Sequence, residues 1–166
     1  MRRVRFDLTD RLTLIPVEIT FVMLPMLVAA AVLFLLEGPL AAAAVVAAIL
    51  AGVVLFPVLL PWIPTPDFSS KGFLLGGVVA VPFAVAAVLE HSGGASWGRL
   101  GEAAVYLLAM PPVTAFTALN FTGSTTFTSW THVKREMFAY IPRMAWSFGA
   151  GIVPLGFLLV QRLGGS

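Results

Sequence analysis

Apolar runs long enough to cross a lipid bilayer, repeated along the whole chain and separated by short polar or proline-rich breaks, leave few folds open. Residues 40–60 and 73–89 carry no charged side chain at all. A helix crosses the roughly 30 Å hydrocarbon core with about 20 residues, and in lipid its backbone N–H and C=O groups must pair within the segment. Runs of this length therefore read as membrane helices. Composition agrees: 59% of residues are apolar, 11% are charged and the mean hydropathy is +0.97, a balance that ordinary water-soluble domains lack.

The breaks divide the 166 residues into an all-α, polytopic membrane domain with expected spans at about 19–36, 40–60, 73–89, 100–119 and 144–160. Pro16 and Pro25 predict an interfacial turn ahead of the first span, because proline removes a backbone donor and clashes with the preceding turn. Glu37-Gly38-Pro39 reads as a tight turn, and Pro61, Pro64 and Pro66 break the chain again. The Gly76-Gly77 pair predicts close helix approach, and Pro111-Pro112 predicts a kink inside the fourth span. Between the fourth and fifth spans the pattern predicts a polar loop and then a short surface helix over 133–140, stopped by Pro142.

Charge distribution sets the expected orientation. With five spans and a cytoplasmic amino terminus, Arg2, Arg3, Arg5, Arg11, Lys71, Lys134, Arg135 and Arg143 fall on the inner side, and Arg99 and Arg162 on the outer side. That asymmetry follows the positive-inside rule for an inner membrane protein. A four- or six-span arrangement would break it. Trp62, Trp130 and Trp146 would then sit near one interface. The formal net charge of +2 is too small to suggest nucleic acid, so the lipid bilayer is the expected environment. No cleavable signal peptide is evident. The chain has no cysteine, which excludes disulfides and thiolate-held clusters within it.

The most distinctive stretch is Asn120-Phe-Thr-Gly-Ser-Thr-Thr-Phe-Thr-Ser129, with four threonines and two serines in ten residues. Hydroxyl side chains at this density compete with the backbone for its own hydrogen bonds. Asn120, Thr122, Gly123, Ser124, Thr125, Thr126, Thr128 and Ser129 are accordingly candidates for a partner- or ligand-binding loop on the cytoplasmic face. Lys134, Arg135 and Arg143 extend it as anchors for anionic headgroups or for an acidic partner. The loop lacks the spacing of a phosphate-binding nucleotide loop. Glu18, a carboxylate at the membrane boundary, has Arg143 among its natural ion-pair partners. His132 and His91 fall on opposite faces, so no metal site is expected, and no set of residues suits nucleophilic catalysis.

Several of these stretches together resemble a known family. Leu14-Ile-Pro-Val-Glu-Ile19, Phe68-Ser-Ser-Lys-Gly72, the block from Asn120 to Ser129, Val133-Lys-Arg-Glu-Met137 and Ile141-Pro142 are similar to the membrane domain of the mercury-methylating corrinoid protein (HgcA) family. That family is related through its soluble domain to the corrinoid iron–sulfur protein. The resemblance implies a non-catalytic anchor and docking subunit for a cytoplasmic corrinoid-dependent methyl-transfer system. The cobamide would be carried by a separate corrinoid-binding protein, served by a ferredoxin-type reductant. The departure is plain: the family's corrinoid domain supplies a cysteine to cobalt, and this chain has none. The reading that follows is a free-standing membrane module or a piece of a longer chain. The alternative from another class is a small transporter or channel with Glu18, Asn120, Thr114 and Thr117 along a polar path. A quinone- or heme-bearing redox anchor is disfavoured by the lack of histidines within any span.

Overall fold

The computed structural model describes residues 8–65, 67–90, 96–119 and 130–164. Among them every regular element is helical: α1 (Leu8–Glu37), α2 (Pro39–Leu50), a π-helical segment (Ala51–Leu55), α3 (Phe56–Leu59), α4 (Phe68–Glu90), α5 (Ser96–Leu119) and α6 (Trp130–Gly164). Four stretches are long and apolar enough to cross a membrane: Ile15–Glu37, Pro39–Leu59, Phe68–Leu89 and Gly98–Leu119. Their outward faces are apolar as well, with Phe21, Leu35, Val78 and Leu89 all largely exposed. That is the surface a lipid solvent calls for.

Gly38 turns α1 into α2. Its φ of 97° lies in the left-handed region open to glycine. Its N–H donates to the carbonyls of Leu33 and Phe34 at 3.1 Å each, closing the end of α1, and Pro39 starts α2 where a missing N–H does no harm.

Two expectations are corrected here. Pro16 and Pro25 do not place a turn ahead of the first span; both lie inside α1, which is unbroken from Leu8. Nor does Pro142 end a short surface helix, because residues 133–140 and the apolar run at 144–160 belong to one helix, α6. The physical reason is the same in each case. A proline removes one backbone hydrogen bond, whereas ending a helix leaves about four N–H and four C=O groups without intrahelical partners. In addition, Pro142 faces outward, so its ring does not interrupt the packed side of α6.

A similar economy operates at Pro111 and Pro112, which lie within a continuous α5. Pro112 has no N–H to offer the carbonyl of Leu108, four residues earlier. Ser147 Oγ, on α6, donates to that oxygen at 2.8 Å.

The core is built on α5, whose most extensive contacts are with α4 and then α6. Small residues let the backbones meet. A Cβ placed on Gly72 would lie 2.6 Å from Ala115 Cα, and one on Gly76 would lie 2.7 Å from Pro111 Cα. Gly52, in the π-helical segment, presses against Thr114 and Thr117 in the same way. Of the Gly76-Gly77 pair, only Gly76 is at a close approach; Gly77 has open space beside it. Phe56 and Val53 are fully buried at the centre of an apolar cluster with Ile49, Leu75 and Ala118. Phe56 also meets Phe68 with ring centroids 6.1 Å apart, which draws the start of α4 onto α3.

Candidate functional site

The start of α4 and the first turns of α6 form the most polar described region of the bundle, and the sequence explains how they meet. On α6, Glu136, Tyr140, Met144, Ser147 and Gly151 recur at spacings of four, four, three and four, which is one face of a helix. Met144 and Gly151 sit on that face against α5. Glu136 and Tyr140 continue it past the end of the apolar contact and reach α4.

Glu136 is only 4% exposed, and its Oε1 accepts the backbone N–H of Ser69, itself fully buried. This is the first turn of α4, where N–H groups lack intrahelical partners and the helix dipole favours an anion. Glu136 thus caps the start of α4 from another helix. Its Oε2 and the Ser69 hydroxyl are buried without hydrogen-bond partners among the described residues. One turn along, Tyr140 OH donates to Asp67 Oδ2 at 2.9 Å. The Asp67 carbonyl in turn accepts Ser70 Oγ at 2.9 Å and the Lys71 N–H at 3.2 Å. Lys71 Nζ donates to the Leu60 carbonyl at 3.1 Å, placing a cation at the carboxyl end of α3. The proline-rich break at 61–66 is therefore spanned by a hydrogen bond from α4 back to α3.

Bonding to the Asp67 carboxylate, reinforced by burial and by the negative charge of Asp67, holds the Tyr140 phenol above its ordinary pKa of 10.0; Ser70 and Arg143 pull the other way. A raised pKa in the folded state means that folding favours the protonated phenol. The contribution is present below pH 10 and is lost as pH climbs through the folded value. Stability measured by helix content during unfolding, from about pH 8 to about pH 11, is expected to fall at the alkaline end. In Tyr140→Phe that fall should be smaller, and an unchanged alkaline fall would show that the phenol is not its source.

The residues singled out in the sequence are distributed as follows. Arg135 and Arg143 are exposed on α6, as is Lys134. The Arg143 guanidinium lies 5.3 Å from the centroid of the Tyr140 ring, a cation–π distance. An ion pair between Glu18 and Arg143 is not among the contacts of the described residues; Glu18 is half-buried on α1. Asn120, Thr122, Gly123, Ser124, Thr125, Thr126, Thr128 and Ser129 lie outside the described residues.

Thr114 and Thr117, assigned to a polar path in the transporter reading, are engaged in packing. Thr114 Oγ1 donates to the Ala48 carbonyl at 2.9 Å, and Thr117 Oγ1 reaches the carbonyls of Val113 and Thr114, both at 3.0 Å. Among the described residues no group of three or more metal-ligating side chains stands together.

Reading the sequence missed Glu136, Ser69, Asp67 and Tyr140. The available signal was the helical spacing of Glu136 and Tyr140 with Met144, Ser147 and Gly151, which places a carboxylate on the buried side of α6. Comparison with protein families, with curated proteins and with solved structures finds no match to this chain.

Proposed function

We propose that this chain is a non-catalytic membrane anchor and docking subunit for a cytoplasmic corrinoid-dependent methyl-transfer system, with five spans in the inner membrane and a cytoplasmic amino terminus. One observation carries the docking part. The first turns of α6 are pinned to the start of α4 by Glu136 and Tyr140, while Arg135, Met137, Phe138 and Arg143 on the same turns are exposed. The exposed surface of these turns carries basic, aromatic and thioether side chains on a helix held at Glu136 and Tyr140, which suits an acidic protein surface.

The topology has its own support. At about 1.5 Å per residue, the 35 residues of α6 extend roughly 52 Å, well beyond the roughly 30 Å hydrocarbon core. With 144–160 taken as the fifth span, the turns that hold Arg135 and Tyr140 stand outside the lipid. Trp146, Val153, Phe157 and Val160 are largely exposed, as lipid-facing side chains of such a span would be. The identity of the partner as a corrinoid protein, with a ferredoxin-type reductant, rests on the resemblance in residues 120–143 and the stretches before them.

The experiment is co-purification of a corrinoid-binding protein with the full-length chain from native membranes. Arg135→Glu is expected to weaken capture about tenfold, the scale of one lost charge-assisted contact. Alanine at Thr122, Ser124, Thr125 and Thr126 together is expected to abolish it with insertion intact. Equal capture by both variants and by the native sequence would sink the reading.

A further inference from the structure

In the half of the bundle away from the Glu136 cluster, α1 and α6 stand on either side of a cleft of about 430 Å³, within the size range of small-molecule sites. The two helices pack on different neighbours, α1 on α2 and α6 on α5. Ala29 and Leu33 of α1 and Phe148 and Ile152 of α6 line the flanks, and Ala44 and Ala48 of α2 line the floor. All six side chains are apolar.

The two ends of the cleft fix its depth in the membrane. One lies at the Gly38 turn, where Glu37 and Glu102 are among the lining residues. Each of these carboxylates is already engaged within the protein, and ionisable groups at the end of a span mark headgroup depth. The other end lies at Pro25 of α1 and Ile49 of α2, close to halfway along the spans Ile15–Glu37 and Pro39–Leu59. Beyond it, Ile19 and Val22 of α1 pack against the Phe56 cluster and close the gap. From Pro25 to Glu37 is roughly 18 Å at about 1.5 Å per residue, compared with roughly 15 Å for half of a 30 Å hydrocarbon core. The cleft thus runs from one membrane surface to the bilayer midplane, which is the reach of a lipid chain in a single leaflet. Its volume over that length gives a section on the order of 24 Å², enough for one extended chain and far less than a helix about 10 Å across needs. Apolar walls at this depth have no water to meet and lose dispersion contacts wherever they face a void.

We propose that the cleft between α1 and α6 holds one hydrocarbon chain of a membrane lipid, drawn from the leaflet at the Gly38 end and reaching Ile49. Seated there, the chain ties α1, which packs mainly on α2, to α6. This site is separate from the α4–α6 surface and does not depend on the docking reading.

The test uses the full-length protein in vesicles of phosphatidylethanolamine and phosphatidylglycerol, with phospholipid probes that carry a photoactivatable group either at the chain end or next to the glycerol. The chain-end probe is expected to label Ile49, which is buried from the surrounding bilayer and open to a lipid chain only through the cleft. The glycerol-end probe is expected to label Leu33 and Leu40 instead. After release into mild detergent, intact-mass spectrometry should find one phospholipid retained per protein. Ala29→Trp, which fills the cleft from a half-buried position on α1, should lower that retention about tenfold and remove the Ile49 label. Ala31→Trp, on the exposed side of α1, should change neither, with circular dichroism confirming that both variants stay helical. Labelling of the native sequence tests the proposal without either variant. Equal labelling of Ile49 by the two probes, retention in Ala29→Trp as high as in Ala31→Trp, or release of the protein as a lipid-free dimer, the mark of a second copy in the cleft, would overturn it.

Discussion

Alanine at both Gly72 and Gly76 is expected to force α4 away from α5 and to lower the stability of the bundle by about 2–6 kcal/mol, taking about 1–3 kcal/mol for each overpacked site. The effect is large because of what the new methyl groups would strike. At Gly72 the obstacle is Ala115 Cα at 2.6 Å, and at Gly76 it is Pro111 Cα at 2.7 Å. These are backbone atoms of the helix on which the bundle is centred, so no change of rotamer relieves the overlap. Pro111 and Pro112 further restrict how α5 can adjust. In lipid there is little hydrophobic drive between helices, so association depends on close packing of this kind.

Gly77→Ala is the internal control, since nothing lies within 4 Å of the Cβ it would add. That variant is expected to be neutral or more stable by about 0.5–1 kcal/mol, because alanine loses less backbone entropy than glycine on entering a helix. Denaturant unfolding in micelles, followed by circular dichroism, separates the two outcomes. If G72A/G76A unfolds at the same denaturant concentration as G77A, backbone contact between α4 and α5 is not what holds the core.

The second large effect is expected at Glu136. Glu136→Ala removes the acceptor of the buried Ser69 N–H and leaves that donor at the start of α4 without a partner, a loss of about 1–3 kcal/mol. It should also loosen the first turns of α6, so hydrogen exchange at residues 134–140 is expected to rise more than at 144–155. Glu136→Gln should behave differently. Its amide oxygen can still accept from the Ser69 N–H, which keeps the bond to the start of α4. Stability of Glu136→Gln is therefore expected to stay within about 1 kcal/mol of the native chain. A loss in Glu136→Gln as large as in Glu136→Ala would mean that the charge itself, and not the hydrogen bond, holds α6 to α4. Under the proposed function, Glu136→Ala should also weaken partner capture without altering any exposed side chain.

The candidate site was only half visible in the linear chain. Lys134, Arg135 and Arg143 stand out because exposed cations interrupt an otherwise apolar sequence. Glu136 does not, because within Lys-Arg-Glu it looks like one more solvated charge. Its burial depends on the start of α4 arriving at the same place; the spacing on α6 marks the buried face but not the helix that meets it. Asp67 is similar: beside three prolines it reads as a turn residue, yet its carboxylate is the acceptor for a tyrosine 73 positions away. Thr114 and Thr117 mislead in the opposite direction. As hydroxyls in an apolar helix they suggest a polar path, but three carbonyls use them for packing.

Hydrophobic run length alone determined that the chain forms membrane-type helices and where the four clear spans lie, because lipid leaves a backbone no other way to pair its polar groups over about 20 residues. Glycine and proline chemistry likewise marked the turn at Gly38. Helix continuity was a different matter. Pro16, Pro25 and Pro142 look like stops in the sequence, and whether each one ends a helix depends on the alternatives available in three dimensions. Continuing loses one hydrogen bond, which a neighbour such as Ser147 can offset where helices touch. Stopping exposes several groups at once. That comparison, like the burial of Glu136 and the choice of Gly76 over Gly77 as the contact, is settled by which helix lies alongside, and so by tertiary packing.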